Sequence, residues 1–371
     1  MPVTEELLKA ASEADVSLVI IGRTAGEDQD NSDTEGSYRL QKEEENLIKS
    51  ITEVSRRTVV LINSGNIIDM SWVNRYHPQG VLYVWQGGQE GGNGVADILI
   101  GRQSPSGKLT DTIAEKITDY PSTTGVCKWC KNPENVRFTL SVLERLAHRY
   151  GSYSQLFGIE VLNEPISFSV FMTSPSRSKT RDKKEAKGSS YVPFKFLKAF
   201  YRKAYQLLRK HMSEEKVIVF HDGFRLGRWK KFFSDNDMKN VMLDTHIYIF
   251  AMESFVPIHK PWVYQIYIKS QQRLIRRIQK DVPVVVGEWC ICNKYAEKTD
   301  SGMSAEAAAK RRRERYLEIA ALQLQAWSEA KGWIYWSYQF KPNRKEPLDE
   351  RWKESWDFSR CVENGWIEFK N

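Results

Sequence analysis

The chain has 371 residues and a net charge of +8, with 55 Lys and Arg residues against 47 Asp and Glu residues. Hydrophobic residues make up 41% of it, which is enough for one large α/β domain or two smaller ones. No stretch approaches the roughly 20 consecutive apolar residues that a membrane span needs, so no transmembrane helix is predicted.

The N-terminal stretch and the cysteines indicate the cellular setting. The first 22 residues carry acidic side chains where a signal peptide carries basic ones, so no signal peptide is predicted. Cys127 and Cys130 form a single C-x-x-C pair, without a second Cys or His pair at ligand spacing, which favours plain thiols. We expect a reduced cytoplasmic setting, or a recombinant origin, and no membrane partner.

The charge is unevenly distributed. Residues 1–124 have a net charge of −8, and residues 125–371 have a net charge of +16. The basic runs at 176–188 and 310–315 come without a recognition motif, so no nucleic-acid partner is predicted. The contrast predicts two segments of different origin, 1–124 and 125–371.

The first segment alternates strands and helices. β-branched runs at 16–22, 58–63 and 80–85 predict three strands, with helical patterns between them. A glycine loop, QGGQEGGNG, follows the third strand and leads into a helix. This βαβαβα order predicts a parallel sheet with right-handed crossovers, as in flavodoxin-like folds.

The second segment continues the alternation with five predicted strands, at 158–162, 217–220, 241–244, 284–286 and 333–336. Five strands are too few to close a (β/α)8 barrel, whereas three plus five make eight. We therefore predict an α/β fold of parallel β/α units, in which three flavodoxin-like strands and five barrel strands form a hybrid (β/α)8-like barrel.

Polar residues follow the strands of the second segment. Asn163 and Glu164 follow the first strand, Asp222 the second, His246 and Tyr248 the third, and Glu288 and Trp289 the fourth, while Trp336 ends the fifth. The carboxyl ends of parallel barrel strands open onto one face, where reacting groups gather. We therefore expect Glu164 and Glu288 to face each other.

Two facing carboxyl groups suit glycoside hydrolysis, with retention if they lie about 5–5.5 Å apart. Asn163 would then hold a sugar hydroxyl, and Tyr248 would orient the nucleophile. Trp336 or Trp289 would provide a stacking platform, and His246 and Asp222 would line the substrate site. This chemistry requires no metal and no organic cofactor.

The second segment resembles glycoside hydrolase family 5, closest to its exo-β-1,3-glucanase-like branch. The resemblance covers about residues 125–368 and rests on GIEVLNEP, HDGF, LDTHIYIF, VVVGEW and GWIYWSY in that order. It implies that Glu164 is the acid/base and Glu288 the nucleophile. The segment matches barrel strands four to eight and lacks the first three, with an arginine and a histidine that the family uses.

The first segment, at about 10–123, resembles the C-terminal α/β-sandwich domain of family 3 β-glucosidases. The resemblance rests on SLVIIGRTAGEDQDN, on the GGQEGG loop and on PSGKLTDT. It implies that Glu27 is a possible family 3 acid/base, although no Ser-Asp-Trp-like nucleophile motif is present. The two resemblances together predict a chimera-like fusion.

Three functions remain open from the sequence. The favoured one is a retaining glycoside hydrolase acting on β-glucans or β-glucosides through Glu164 and Glu288. The second is a catalytically silent carbohydrate-binding protein or scaffold, and the third is a family 3-type β-glucosidase remnant using Glu27. The sequence does not fix the linkage, endo or exo action, or the oligomeric state.

Overall fold

The computed structural model describes residues 2–23, 31–88, 90–105, 107, 117, 126–173, 180, 182–298, 302–340, 347–348 and 350–369. The chain divides into two compact units. The first comprises Met1–Cys127 and Pro175–Ser189, and the second comprises Lys128–Ser174 and Ser190–Asn371.

The first unit contains a three-stranded parallel sheet in the order β1–β2–β3. Its strands are β1 (Ser17–Gly22), β2 (Thr58–Asn63) and β3 (Gly80–Tyr83). Its described helices are Glu5–Glu13, Lys42–Val54, Ser71–Tyr76, Gly91–Leu99 and the short Lys183–Ala186.

The alternation along β1 places one face of this sheet in a core. Val19 and Ile21 are buried, whereas Leu18 and Ile20 are 50% and 64% exposed. This is the period-two pattern of a strand with one covered face. The buried side chains join a cluster with apolar residues of β2 and of the helix Lys42–Val54.

The second unit contains a five-stranded parallel sheet in the order β4–β5–β6–β7–β8. The strands are β4 (Gly158–Glu160), β5 (Val217–His221), β6 (Val241–His246), β7 (Val284–Trp289) and β8 (Trp333–Tyr335). The described α-helices are Pro133–Tyr150, Phe168–Thr173, Phe194–Leu208, Phe232–Asp235, Ile249–Glu253, Pro261–Ile278, Lys294–Glu297, Ala305–Trp327 and Phe358–Glu363. Short 3₁₀ turns are at Trp129–Lys131, Leu226–Trp229 and Arg351–Trp356.

Amphipathic helices pack on this sheet. In the helix Phe194–Leu208 the buried residues Leu197, Phe200, Tyr201, Ala204 and Leu208 recur at helical spacing. They join a large cluster with apolar residues of the strands and of the helices Pro261–Ile278 and Ala305–Trp327. This packing fixes the strands whose carboxyl ends carry the predicted site.

The prediction of an α/β fold with three and five parallel strands is confirmed, and the five-stranded sheet forms a half-barrel. The hydrogen-bonded ladders of the described residues form two sheets rather than one eight-stranded barrel. Each sheet packs on its own hydrophobic cluster. The described helices include none long and apolar enough to cross a membrane.

A close approach between β4 and β5 gives a test of this packing. A Cβ atom added at Gly158 would overlap the backbone carbonyl of Val217, whereas one added at Gly332 would meet no atom within 4 Å. We expect Gly158→Ala to lower the free energy of unfolding by about 1–3 kcal/mol, because the β5 backbone must shift. Gly332→Ala should change it by less than about 0.5 kcal/mol.

Urea unfolding followed by tryptophan fluorescence measures both variants, because ten of the 12 tryptophans lie in residues 128–371. Equal unfolding midpoints for Gly158→Ala and Gly332→Ala would contradict the close β4–β5 contact.

Candidate active site

The parallel register brings the predicted site residues of the second unit to one edge of its sheet. His246 at the end of β6 is the register partner of Glu288 in β7. Glu164 lies just beyond the end of β4, at the same edge. The strands therefore place a histidine and two glutamates together although they are far apart in sequence.

His246 lies at the centre of the site. Its Nδ1 is 2.6 Å from Glu164 Oε1 and 3.4 Å from Glu288 Oε2. Its Nε2 is 3.2 Å from Asp244 Oδ2. The His246 side chain is only 3% exposed, whereas those of Glu164 and Glu288 are 32% and 18% exposed. The two glutamates are therefore partly accessible to solvent, whereas the histidine that both contact is buried.

The charge around His246 changes its proton affinity. Burial alone lowers the pKa of His246, but the hydrogen bonds to Asp244 and Glu164 and the nearby charge of Glu288 outweigh it and raise the pKa to about 10.

Tyr248 orients Glu288. Its hydroxyl donates to Glu288 Oε2 at 2.6 Å, and its ring stacks on Trp356 with centroids 5.3 Å apart. Burial and the Glu288 carboxylate both raise the pKa of Tyr248, so the phenol remains a donor.

The backbone of Glu164 adopts an unusual conformation, with φ of 44° in the left-handed region. Residues other than Gly and Asn rarely adopt this backbone region, because doing so costs about 1–3 kcal/mol. Strain of this kind clusters at functional sites, where the surrounding structure holds it in place.

Asp244 and Glu160 support the histidine from within the sheet. Asp244 Oδ1 accepts the backbone N–H of Gly287 at 2.7 Å. A Cβ at position 287 would overlap the Asp244 carboxylate, so only glycine allows this contact. Burial of the Glu160 carboxyl and the adjacent Asp244 raise the pKa of Glu160 to about 8, although part of the residue reaches solvent.

His221 and Asp222 form the buried floor of the site. His221 is fully buried, its Nδ1 accepts the N–H of Gly223 at 2.9 Å, and burial lowers its pKa well below the usual value. Asp222 accepts from the Phe224 N–H and the Thr245 hydroxyl, and burial raises its pKa to about 7. Since Asp222 is only 1% exposed, it holds loops in place and cannot contact a substrate, which corrects the predicted binding role.

The two histidines and Glu164 place three possible metal-ligand atoms within 4.8 Å of one another. However, the Gly223 N–H occupies Nδ1 of His221, so the neutral ring carries its proton on Nε2. Both ring nitrogens of His246 already face carboxylates. As arranged, the cluster is a hydrogen-bonded network in which neither ring offers a free lone pair to a metal.

The structure separates the two tryptophans that were alternatives for a stacking platform. Trp289 is fully buried and packs against Trp327, Trp333 and Tyr335, so it offers no ring face to a sugar. Trp336 is 41% exposed and remains a candidate.

Asn163 and Glu27 are the remaining predicted site residues. Asn163 is exposed beside Glu164. Glu27 lies outside the described residues. Sequence reasoning missed Asp244, Glu160 and Trp356, although the period-two spacing of Asp244 and His246 along a strand was an available signal.

A separate cavity of about 760 Å³ lies in the first unit. It is lined mainly by apolar and small residues between β3 and the helix Gly91–Leu99, among them Tyr83, Trp85, Val95 and Ile98. The described part of its lining includes none of the predicted site residues.

Sequence comparisons identify relatives of the first unit. Residues 2–154 match the profile of the Glycosyl hydrolase family 3 C-terminal domain. A beta-glucosidase from Ruminococcus albus is 50% identical over 123 residues, covering 33% of this chain and 13% of that protein. A beta-glucosidase from Schizophyllum commune is 35% identical over 126 residues, covering 32% of this chain and 65% of that protein. The family 3 resemblance is confirmed, and the chain spans less than two thirds of each relative.

The chain also has matches among solved structures. A beta-glucosidase from Paenibacillus barengoltzii shares 51% identity over 33% of this chain and 14% of its own, with a TM-score of 0.32. A family 5 xyloglucanase from Paenibacillus pabuli covers 96% of this chain and 98% of its own, at 12% identity and a TM-score of 0.38. Both TM-scores are below 0.5, so the family 5 resemblance rests on the strand-end motifs.

The proton affinities of the site predict how stability depends on pH. The pKa of His246 is raised to about 10 from its ordinary value of 6.5. Between pH 7 and 9 the native state therefore holds more protons than the unfolded state. The His246 contribution is complete below pH 6.5 and is lost as the pH rises through about 10. We expect the free energy of unfolding to fall by up to about 3 kcal/mol from pH 7 to 9.

Urea unfolding at pH 7, 8 and 9 measures this slope, with His246→Gln as the comparison. The slope should flatten in that variant. The window starts at pH 7 because the buried neutral His221 acts in the opposite sense below its ordinary pKa of 6.5. A wild-type protein as stable at pH 9 as at pH 7 would contradict the protonation described for the site.

Proposed function

We propose that the chain is a retaining glycoside hydrolase that acts on β-glucans or β-glucosides through Glu164 and Glu288. The observation that carries the proposal is that oxygens of both carboxyl groups contact the same nitrogen, His246 Nδ1, at 2.6 and 3.4 Å. These two oxygens lie no farther apart than the sum of the two distances. That limit favours the retaining spacing of about 5–5.5 Å over the inverting spacing of about 6.5–9.5 Å.

The environments of the two glutamates support different roles. Glu288 accepts the Tyr248 hydroxyl, and this hydrogen bond orients its carboxylate as a nucleophile. Glu164 is more exposed, where a leaving-group oxygen and later a water molecule can reach it. The assignment of acid/base and nucleophile follows the resemblance to family 5.

The proposed reaction has two displacements. Glu288 attacks the anomeric carbon while Glu164 gives a proton to the departing glycosidic oxygen, which leaves a glycosyl ester on Glu288. Glu164 then removes a proton from water, whose oxygen attacks the anomeric carbon and releases Glu288. Two inversions give net retention. Asn163 would hold the sugar 2-hydroxyl, and Trp336 would stack under the ring.

A second candidate is a carbohydrate-binding protein without catalysis. It is favoured by the accessible rings of Trp336 and Trp352, each 41% exposed, on which sugars can stack without any glutamate. Saccharide binding that is unchanged in both glutamine variants, without hydrolysis, would support it. The family 3-type remnant using Glu27 stays a prediction, because that residue lies outside the described chain.

Hydrolysis of laminarin, carboxymethylcellulose and an aryl β-glucoside tests the proposed function. We expect Glu288→Gln to reduce kcat by at least about 10⁴-fold on every substrate, because no glycosyl ester can form. Glu164→Gln should lose about 10²–10⁴-fold on laminarin but less on an aryl glucoside with an acidic phenol, whose departure needs little protonation.

Glu144→Gln is the matched control, since its side chain is 46% exposed on a helix outside the site. It should retain wild-type rates. Proton NMR of the first product should show the β-anomer. The proposal fails if the folded wild type releases no sugar, or if both site variants hydrolyse as fast as the control.

A further inference from the structure

We infer that His246 holds the proton of the general acid as an imidazolium and passes it to Glu164 during the reaction. The inference rests on the proposed hydrolysis and names how the proton in that site is stored. His246 acts through Glu164 and is therefore a positioning residue rather than a catalytic one.

The hydrogen-bond partners of His246 require two donors on its ring. A neutral imidazole has one N–H and one lone pair, whereas an imidazolium has two N–H groups. Both nitrogens of His246 face carboxyl oxygens, Nδ1 at 2.6 Å from Glu164 and Nε2 at 3.2 Å from Asp244. A lone pair facing a carboxylate in a nearly solvent-free position would be repelled. The arrangement is satisfied when both nitrogens carry protons.

Acidic side chains face His246 from several neighbouring segments of the second unit. Glu160 faces it from β4, Glu164 from the loop after β4, Asp244 from its own strand, and Glu288 from β7.

Among the remaining described neighbours, Arg225 brings a positive charge close to His221, whereas Asp222, His221 and Tyr248 supply none. From β5, Asp222 is acidic, and the His221 ring lies 4.3 Å away, edge to face. His221 is neutral, because it is fully buried and accepts a backbone N–H at Nδ1. The phenol of Tyr248 donates to Glu288. The field at His246 is therefore negative, in agreement with its raised pKa.

The proton that leaves His246 in the first step of the reaction returns to it in the second. In the resting site Glu164 is a carboxylate that accepts from the His246 imidazolium. When substrate binds, the Nδ1 proton moves to Glu164 Oε1, and Glu164 delivers it to the departing oxygen as Glu288 bonds to the anomeric carbon. His246 is then neutral and keeps its Nε2–H on Asp244. In the second step the proton taken from water returns through Glu164 to Nδ1.

This arrangement has a measurable consequence. An isolated glutamic acid loses its proton near pH 4.3, so few molecules would hold the acid proton at pH 7. The Glu164–His246 couple keeps it until the imidazolium itself is deprotonated. The basic limb of kcat/KM should therefore lie in the alkaline range and depend on Asp244.

The direct test is ¹⁵N NMR of the full chain labelled at histidine, titrated from pH 6 to 10.5. The signals of His246 are assigned by their loss in His246→Gln. We expect both ring nitrogens to report the protonated form at pH 8, where histidines of ordinary pKa are neutral. A His246 ring with one unprotonated nitrogen at pH 7 overturns the inference.

Two variants identify the source of the effect. Asp244→Asn and Glu164→Gln each remove one negative charge and keep a similar shape, so each should lower the His246 titration midpoint by about 1–3 pH units. Asp237→Asn, whose side chain is 88% exposed, is the matched control and should leave the midpoint unchanged. Glu164→Gln keeps the test valid if Asp244→Asn fails to fold. Unchanged midpoints in the folded site variants overturn the inference.

The pH profile of laminarin hydrolysis separates this inference from the proposed function. The basic limb should move to lower pH in Asp244→Asn, a change that a purely structural role would not cause. Hydrolysis by a protein whose His246 is neutral would overturn the inference and leave the function standing. Absence of hydrolysis would overturn the function and, with it, the transfer to Glu164 during the reaction, whereas the NMR titration would still read the proton on His246 without substrate.

Discussion

The parallel ladder of the second sheet is the constraint on which the site depends. It pairs His221 with Asp244 across β5 and β6, and His246 with Glu288 across β6 and β7. Because side chains alternate between faces, a slip of one residue in either ladder would turn one partner away from the site. The hydrophobic cluster beneath the strands holds this register. The positions of the site residues at the carboxyl ends of the strands therefore depend on the packing of the core.

The same edge concentrates negative charge. Glu160, Asp244, Glu164 and Glu288 surround one imidazole, and bringing such groups out of water is costly unless they are paired and hydrogen-bonded. Backbone and side-chain donors meet part of this cost, among them the Gly287 N–H on Asp244 and the Tyr248 hydroxyl on Glu288. Asp244 and Glu288 are thus each held by a donor from a neighbouring segment of the chain.

The sequence was sufficient to predict the strands and the convergence of Glu164 and Glu288, because the carboxyl ends of parallel strands lie on one side of the sheet. It was insufficient for side-chain direction. The register shifts between Val286 and Trp289, and such an irregularity changes the face to which a side chain points, so Trp289 enters the core. Asp244 was missed because its strand reads as an apolar run ending in an acid. Joining of the strands into two sheets depends on long-range packing that local patterns do not encode.

The left-handed backbone of Glu164 bears on how this protein would respond to selection for thermostability. Glycine or asparagine relaxes a positive φ, so a search that scores only folding free energy would favour them at position 164. Such a search would remove the carboxyl group while improving its score. Stability and activity are thus opposed at this one backbone position, and any laboratory evolution of the chain would need activity as a second criterion.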